Sequence, residues 1–108
     1  MYARQLSMSL KPNSTANFTR KLETEVIPLL RKQKGFKDEI TFVSPVGKEA
    51  FAVSLWDTKE NAEAYGRSSY TEVNKILADL VEGTPQVKAF EIANSTCHKI
   101  AAASHAAL

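Results

Sequence analysis

The sequence predicts an α+β fold in which a four-stranded antiparallel sheet carries its helices on one face. Three observations carry that prediction. Four stretches alternate apolar and polar residues at the period of a strand, two intervening stretches repeat apolar residues at helical spacing, and their order is strand, helix, strand, strand, helix, strand.

The first strand, about Tyr2 to Leu10, sets Tyr2, Leu6, Met8 and Leu10 against Ala3, Gln5, Ser7 and Ser9. Pro12-Asn13-Ser14-Thr15 supplies turn and N-cap chemistry, and Phe18, Leu22, Val26, Leu29 and Leu30 then mark one helical face. Pro28 is expected to bend that helix or shorten its last turn, because its nitrogen has no hydrogen to donate. Gly35, after the basic run Arg31, Lys32 and Lys34, reads as a left-handed stop.

In the second strand, Phe36, Ile40 and Phe42 alternate with Lys37, Glu39 and Thr41; in the third, Phe51, Val53 and Leu55 face away from Ala50, Ala52, Ser54 and Trp56. The short segment Pro45-Val46-Gly47-Lys48 makes the pair a hairpin. Asp57 with Glu60 resembles a helix-capping pair, and Ser69 with Glu72 a capping box, so two helical pieces are expected to meet at a bend near Gly66 to Ser69. Gly83-Thr84-Pro85 reads as their end and Gln86 to Thr96 as the last strand. Both crossovers are expected to join parallel neighbours in the right-handed sense. The compact solution is the ferredoxin-like βαββαβ arrangement.

Helices on one side leave the other side of the sheet bare. That side would hold some mixture of Ser7, Ser9, Thr41, Val43, Ala52, Ser54 and Trp56, so a second copy of the chain is the expected cover, giving a homodimer through the open face.

Composition bounds the partners. Lys and Arg number 14 against 12 Asp and Glu, a net charge of +2 that does not argue for nucleic acid or an anionic membrane. Cys97 is the single cysteine, which excludes an internal disulfide and multi-cysteine metal sites and fits a reducing cytoplasm. The first residues lack the apolar core of a signal peptide, and no run reaches the roughly 18 apolar residues of a membrane span. The sequence carries no Gly-rich phosphate loop, nucleophile elbow or Walker sequence, which argues against a nucleotide enzyme.

Two segments, Ile27-Pro28-Leu29-Leu30-Arg31-Lys32-Gln33-Lys34-Gly35-Phe36 and Leu55-Trp56-Asp57-Thr58-Lys59-Glu60-Asn61-Ala62-Glu63-Ala64-Tyr65, carry a resemblance to the dimeric α+β barrel superfamily. Within it, the chain resembles antibiotic biosynthesis monooxygenase-like domains over residues 1–97, leaving 98–108 as a C-terminal tail. The resemblance implies a dimeric α+β barrel and a small aromatic or polyketide-like ligand. It also implies cofactor-independent monooxygenase-like chemistry, so no cofactor is expected; the alternative is a non-catalytic ligand-binding or structural homodimer. Haem-degrading relatives place a histidine on the second helix, and Thr58 to Leu80 contains none.

Under that resemblance Trp56, Tyr65, Phe18 and Leu22 are the candidate ligand-binding residues, with no catalytic residue assigned. Each has a plainer reading. A tryptophan ending a strand is more often core or dimer packing than pocket wall, and a tyrosine at helical spacing is usually core with its hydroxyl at the boundary. Tyr70 flanks the same bend, Arg67 is either an anion contact or a solvated charge, and His98 and His105 have no third ligand at metal spacing.

Overall fold

The structure is a computed structural model and describes residues 1–98. His105 and all of the tail beyond His98 lie outside the described residues. The strands are β1 (Tyr2–Leu10), β2 (Phe36–Val43), β3 (Glu49–Trp56) and β4 (Val81–Glu91). They form one antiparallel sheet in the order β2-β3-β1-β4. The helices are α1 (Thr15–Lys21), α2 (Ile27–Arg31), α3 (Lys59–Arg67) and α4 (Tyr70–Leu77), with a π-helical turn at Leu22–Val26 and a 3₁₀ turn at Ala78–Leu80. This is the ferredoxin-like arrangement.

One expectation about topology is corrected. The strands joined by each crossover run parallel but are not neighbours: β3 lies between β1 and β2, and β1 lies between β3 and β4. The tight β2–β3 hairpin causes this, because β3 must pair beside β2 and so occupies the position next to β1.

The two faces of the sheet follow from register and alternation. Tyr2, Leu6, Met8 and Leu10 of β1 and Ala50, Ala52 and Trp56 of β3 join Phe18, Leu22, Val26 and Leu30, and Tyr65, Val73 and Leu77, in one core between sheet and helices. β2 departs from simple alternation. A bulge between Phe36 and Asp38 shifts its register against β3, so Phe36, Thr41 and Val43 pair with Trp56, Ala52 and Ala50 of the helix-facing row. Ile40 and Phe42 pair with Val53 and Phe51 on the opposite face. Of the residues expected on the open face, Ser7 and Ser9 are there, whereas Thr41, Val43, Ala52, Ser54 and Trp56 lie on the helix side.

The open face is therefore more apolar than expected. Ile40, Phe42, Phe51 and Phe90 are all exposed, and the Phe42 and Phe51 rings stack with centroids 4.6 Å apart.

Three local features differ from the sequence reading. Thr58, not Asp57, caps α3: its side chain accepts from the Asn61 backbone N–H at 3.2 Å, while Asp57 accepts from the Asn61 side chain at 2.8 Å. That second bond, first among the causes, holds the Asp57 carboxyl below its ordinary range. Ser69 begins α4 but makes no side-chain cap, because its hydroxyl donates to Gln33 Oε1 at 3.1 Å and ties the bend to the end of the first helical run. Finally, β4 starts at Val81 and ends at Glu91, so Gly83-Thr84-Pro85 lies within it. The β1–β4 register shifts between Ser7 and Ser9, and Gly83 has a φ of 69°. The three residues form an irregularity in an edge strand, where a proline costs no ladder bond.

Candidate functional site

The helix-facing residues of β3 are small as far as Ser54, and this leaves space under the helices. Ala52 and Ser54 lie beneath a roof of Leu22 and Val26 from the π-helical turn, Leu30, Tyr65, Tyr70, Val73 and Leu77. Arg4, Gln5 and Leu6 of β1, Glu39 of β2 and Val87 of β4 complete the lining. The free volume is about 30 Å³, room for roughly one water molecule. An aromatic ring enters this cavity only if its walls move apart.

The polar groups of this apolar cavity are few and differ in character. Glu39 is half-buried and accepts a hydrogen bond from the Thr41 hydroxyl. Burial is the larger influence on its carboxyl and raises it above the ordinary range; the Thr41 bond opposes this. Glu39 therefore takes up a proton more readily than a surface carboxylate does. Ser54, opposite Glu39 in the β2–β3 register, accepts from Trp56 Nε1 at 2.9 Å. The Tyr65 hydroxyl is pushed well above its ordinary value, chiefly by burial, with the Arg4 charge pulling the other way. Arg4 lies against both tyrosines, its guanidinium carbon 5.2 Å from the Tyr65 ring centre and 5.0 Å from that of Tyr70.

The structure separates the four candidate ligand-binding residues into two pairs. Tyr65 and Leu22 line the cavity. Trp56 and Phe18 are wholly buried at 0% exposure and stand outside the lining. Trp56 stacks on Tyr65 with centroids 4.9 Å apart and meets Phe36 edge-on at 5.7 Å, so it supports the wall from behind. Arg67 is exposed, and His98 contacts Asp38 instead of the cavity.

Arg4 and Glu39 were not among the candidates. Alternation grouped Glu39 with the presumed solvent side of β2, and the bulge at Phe36 reversed that assignment. A signal was nevertheless present in β3, where both alternating rows, Phe51-Val53-Leu55 and Ala50-Ala52-Ser54, are mostly apolar. Such a strand has no row that reads as plainly solvent-facing, so the polar residues beside it cannot be assigned to water by alternation alone. Among the described residues no group of three His, Cys, Asp or Glu side chains is placed to hold a metal ion, and no helix is long and apolar enough to cross a membrane.

No family model and no curated protein matches the sequence. Solved structures do match its fold. A monooxygenase from the gene ActVA-Orf6 of Streptomyces coelicolor, in complex with nanaomycin D, superposes with a TM-score of 0.74 at 14% identity, covering 87% of this chain and 88% of that one. SnoaB, a cofactor-independent oxygenase from Streptomyces nogalater, gives 0.70 at 11% identity over 90% and 97% of the two chains. A protein of Nitrosomonas europaea, provisionally described as an antibiotic biosynthesis monooxygenase, gives 0.70 at 16% identity over 87% and 100%. The chain thus has the fold of antibiotic biosynthesis monooxygenase-like proteins, and at these identities the likeness concerns the fold.

Proposed function

We propose that the chain is a homodimer, joined through its open sheet face, in which each subunit holds a small aromatic ligand in the cavity between sheet and helices. The chemistry that best fits this arrangement is cofactor-independent and monooxygenase-like. The observation that carries it is the cavity: apolar walls that a flat ring would line up against once they part, with one carboxyl, Glu39, disposed to accept a proton. An electron-rich phenol becomes more reactive toward dioxygen when it loses its proton, and Glu39 is the group lining the cavity that suits that transfer. Two solved proteins of the same fold support the reading, since one is described with nanaomycin D and the other as a cofactor-independent oxygenase.

A second reading, a non-catalytic dimer in which the same residues only pack, is favoured by the small free volume of about 30 Å³. Titration separates the two. Trp56 is the single tryptophan and stacks on the wall residue Tyr65, so its fluorescence reports events in the cavity. Quinol-like and polyketide-like aromatics are expected to change that emission at micromolar concentration, and dioxygen uptake with a bound quinol identifies the catalytic case. Unaltered emission across such a panel favours the packing role.

The dimer is tested independently. Exposed aromatic and branched side chains rarely form so continuous a surface on a monomer, and Ile40, Phe42, Phe51 and Phe90 would be covered by a second copy. Light scattering is expected to give twice the 11.9 kDa of one chain. Phe42→Lys should reduce it to a single chain, and a wild-type mass of one chain removes the proposal.

A further inference from the structure

Arg4 occupies a setting that packing alone does not explain. It stands on the helix-facing row of β1 between Tyr2 and Leu6, paired with Ser54 of β3 and Ala89 of β4, and lines the cavity. A half-buried guanidinium normally finds a carboxylate, because leaving water without one is costly. The ion pairs among the described residues are Lys21–Glu25 and His98–Asp38, and Arg4 is in neither. What it has are the faces of Tyr65 and Tyr70, two rings inclined at 62° with centroids 6.2 Å apart, which hold the flat cation by cation–π attraction and leave its N–H edge free for an acceptor.

Gly66 points the same way. It lies within α3, where glycine is the poorest choice after proline, and its backbone is not left-handed, so conformation does not require it. The space its missing side chain leaves is taken by Arg4: a Cβ there would stand 3.2 Å from the guanidinium carbon and closer still to Nη1. The break between α3 and α4 falls instead at Ser68, with φ −125° and ψ −92°. The glycine therefore seats the arginine. Glu39, the other charged group lining the cavity, stands across Ser54 from Arg4 and makes no ion pair with it; burial and the Thr41 hydrogen bond are what act on its carboxyl.

We propose that Arg4 is the anion-binding group of the cavity and that the ligand is a small acid, an apolar ring carrying one anionic oxygen group, either a carboxylate or an ionised phenol. The planar fork of the guanidinium suits a pair of carboxylate oxygens and also accommodates a single phenolate oxygen. This assignment rests on the cavity being a ligand site.

The test is calorimetry on the full chain with three probes: 2-naphthoate, its neutral isostere 2-naphthamide, and 4-nitrophenolate at pH 8. Wild type should bind at least one anion ten times or more tighter than the amide, and which anion wins identifies the acid. Arg4→Gln should abolish that preference, and Arg4→Lys should keep only part of it. Gly66→Ala is the decisive variant, since adding a Cβ to a helix should leave the thermal midpoint unchanged or raised while the displaced guanidinium loses the anion preference. Equal binding of anion and amide by wild type, or a preference that survives Gly66→Ala and Arg4→Gln, overturns the assignment and leaves the ligand site standing. Failure of all three probes to bind overturns both.

Discussion

Replacing Trp56 with alanine is expected to lower stability by about 3–5 kcal/mol, the range for removing a large buried aromatic side chain. Trp56 has 0% exposure, is stacked on Tyr65 and edge-on to Phe36, and donates to Ser54 Oγ. Alanine there leaves a void and an unpaired hydroxyl at once. Domains of this size are stable by roughly 5–15 kcal/mol in total, so the variant should unfold at much lower urea, and a loss under about 2 kcal/mol would mean that the site collapses around the gap. A consequence for the ligand question follows. Loss of binding in Trp56→Ala would report loss of the wall, not of a contact, whereas Trp56→Phe keeps a ring against Tyr65 and removes chiefly the Ser54 hydrogen bond, worth about 1 kcal/mol.

Gly35→Ala is expected to be nearly as damaging. Gly35 ends the first helical run with φ at 83°, and its carbonyl accepts from the Asp57 N–H at 2.9 Å where β3 leads into α3. The left-handed backbone costs an alanine about 1–2 kcal/mol. Its Cβ would also lie 2.7 Å from the Asn61 Cβ and closer still to the Asp57 carboxylate, so the cap of α3 must shift. Together these should cost about 3 kcal/mol, measured by chemical denaturation. A loss below about 1 kcal/mol would show that the crossing of the two segments is looser than its geometry implies.

The fold was legible because β1 and β3 obey the period of a strand and the helices carry clear apolar rows. What escaped was the phase of β2 and the start of β4. Both errors fall at strand irregularities: the bulge after Phe36 has no reliable signature in residue type, so counting by twos carries the wrong face past it, and Gly83-Thr84-Pro85 reads as a helix end although it is an irregularity inside β4. The candidate site was half legible for the same reason. Tyr65 lies on an α-helix whose spacing survives and Leu22 on an apolar row that stays on the sheet side, while Glu39 lies just after a bulge. Arg4 was passed over because a charged residue among strand residues is ordinarily assigned to solvent. Gly66 was read as a bend, and only the space filled by Arg4 shows another reason for it.

The π-helical turn at Leu22–Val26 explains one further regularity. Phe18, Leu22, Val26 and Leu30 recur at strict intervals of four, and all are buried. An ordinary α-helix advances 100° per residue, so such a row should swing about 40° around the axis at each step and leave the sheet within three steps. Underwinding through the middle of the run turns the row back, because each residue there advances through a smaller angle. Unbroken fours across a dozen residues are thus a written trace of a wider coil, and that coil keeps Leu22 and Val26 above the same hollow.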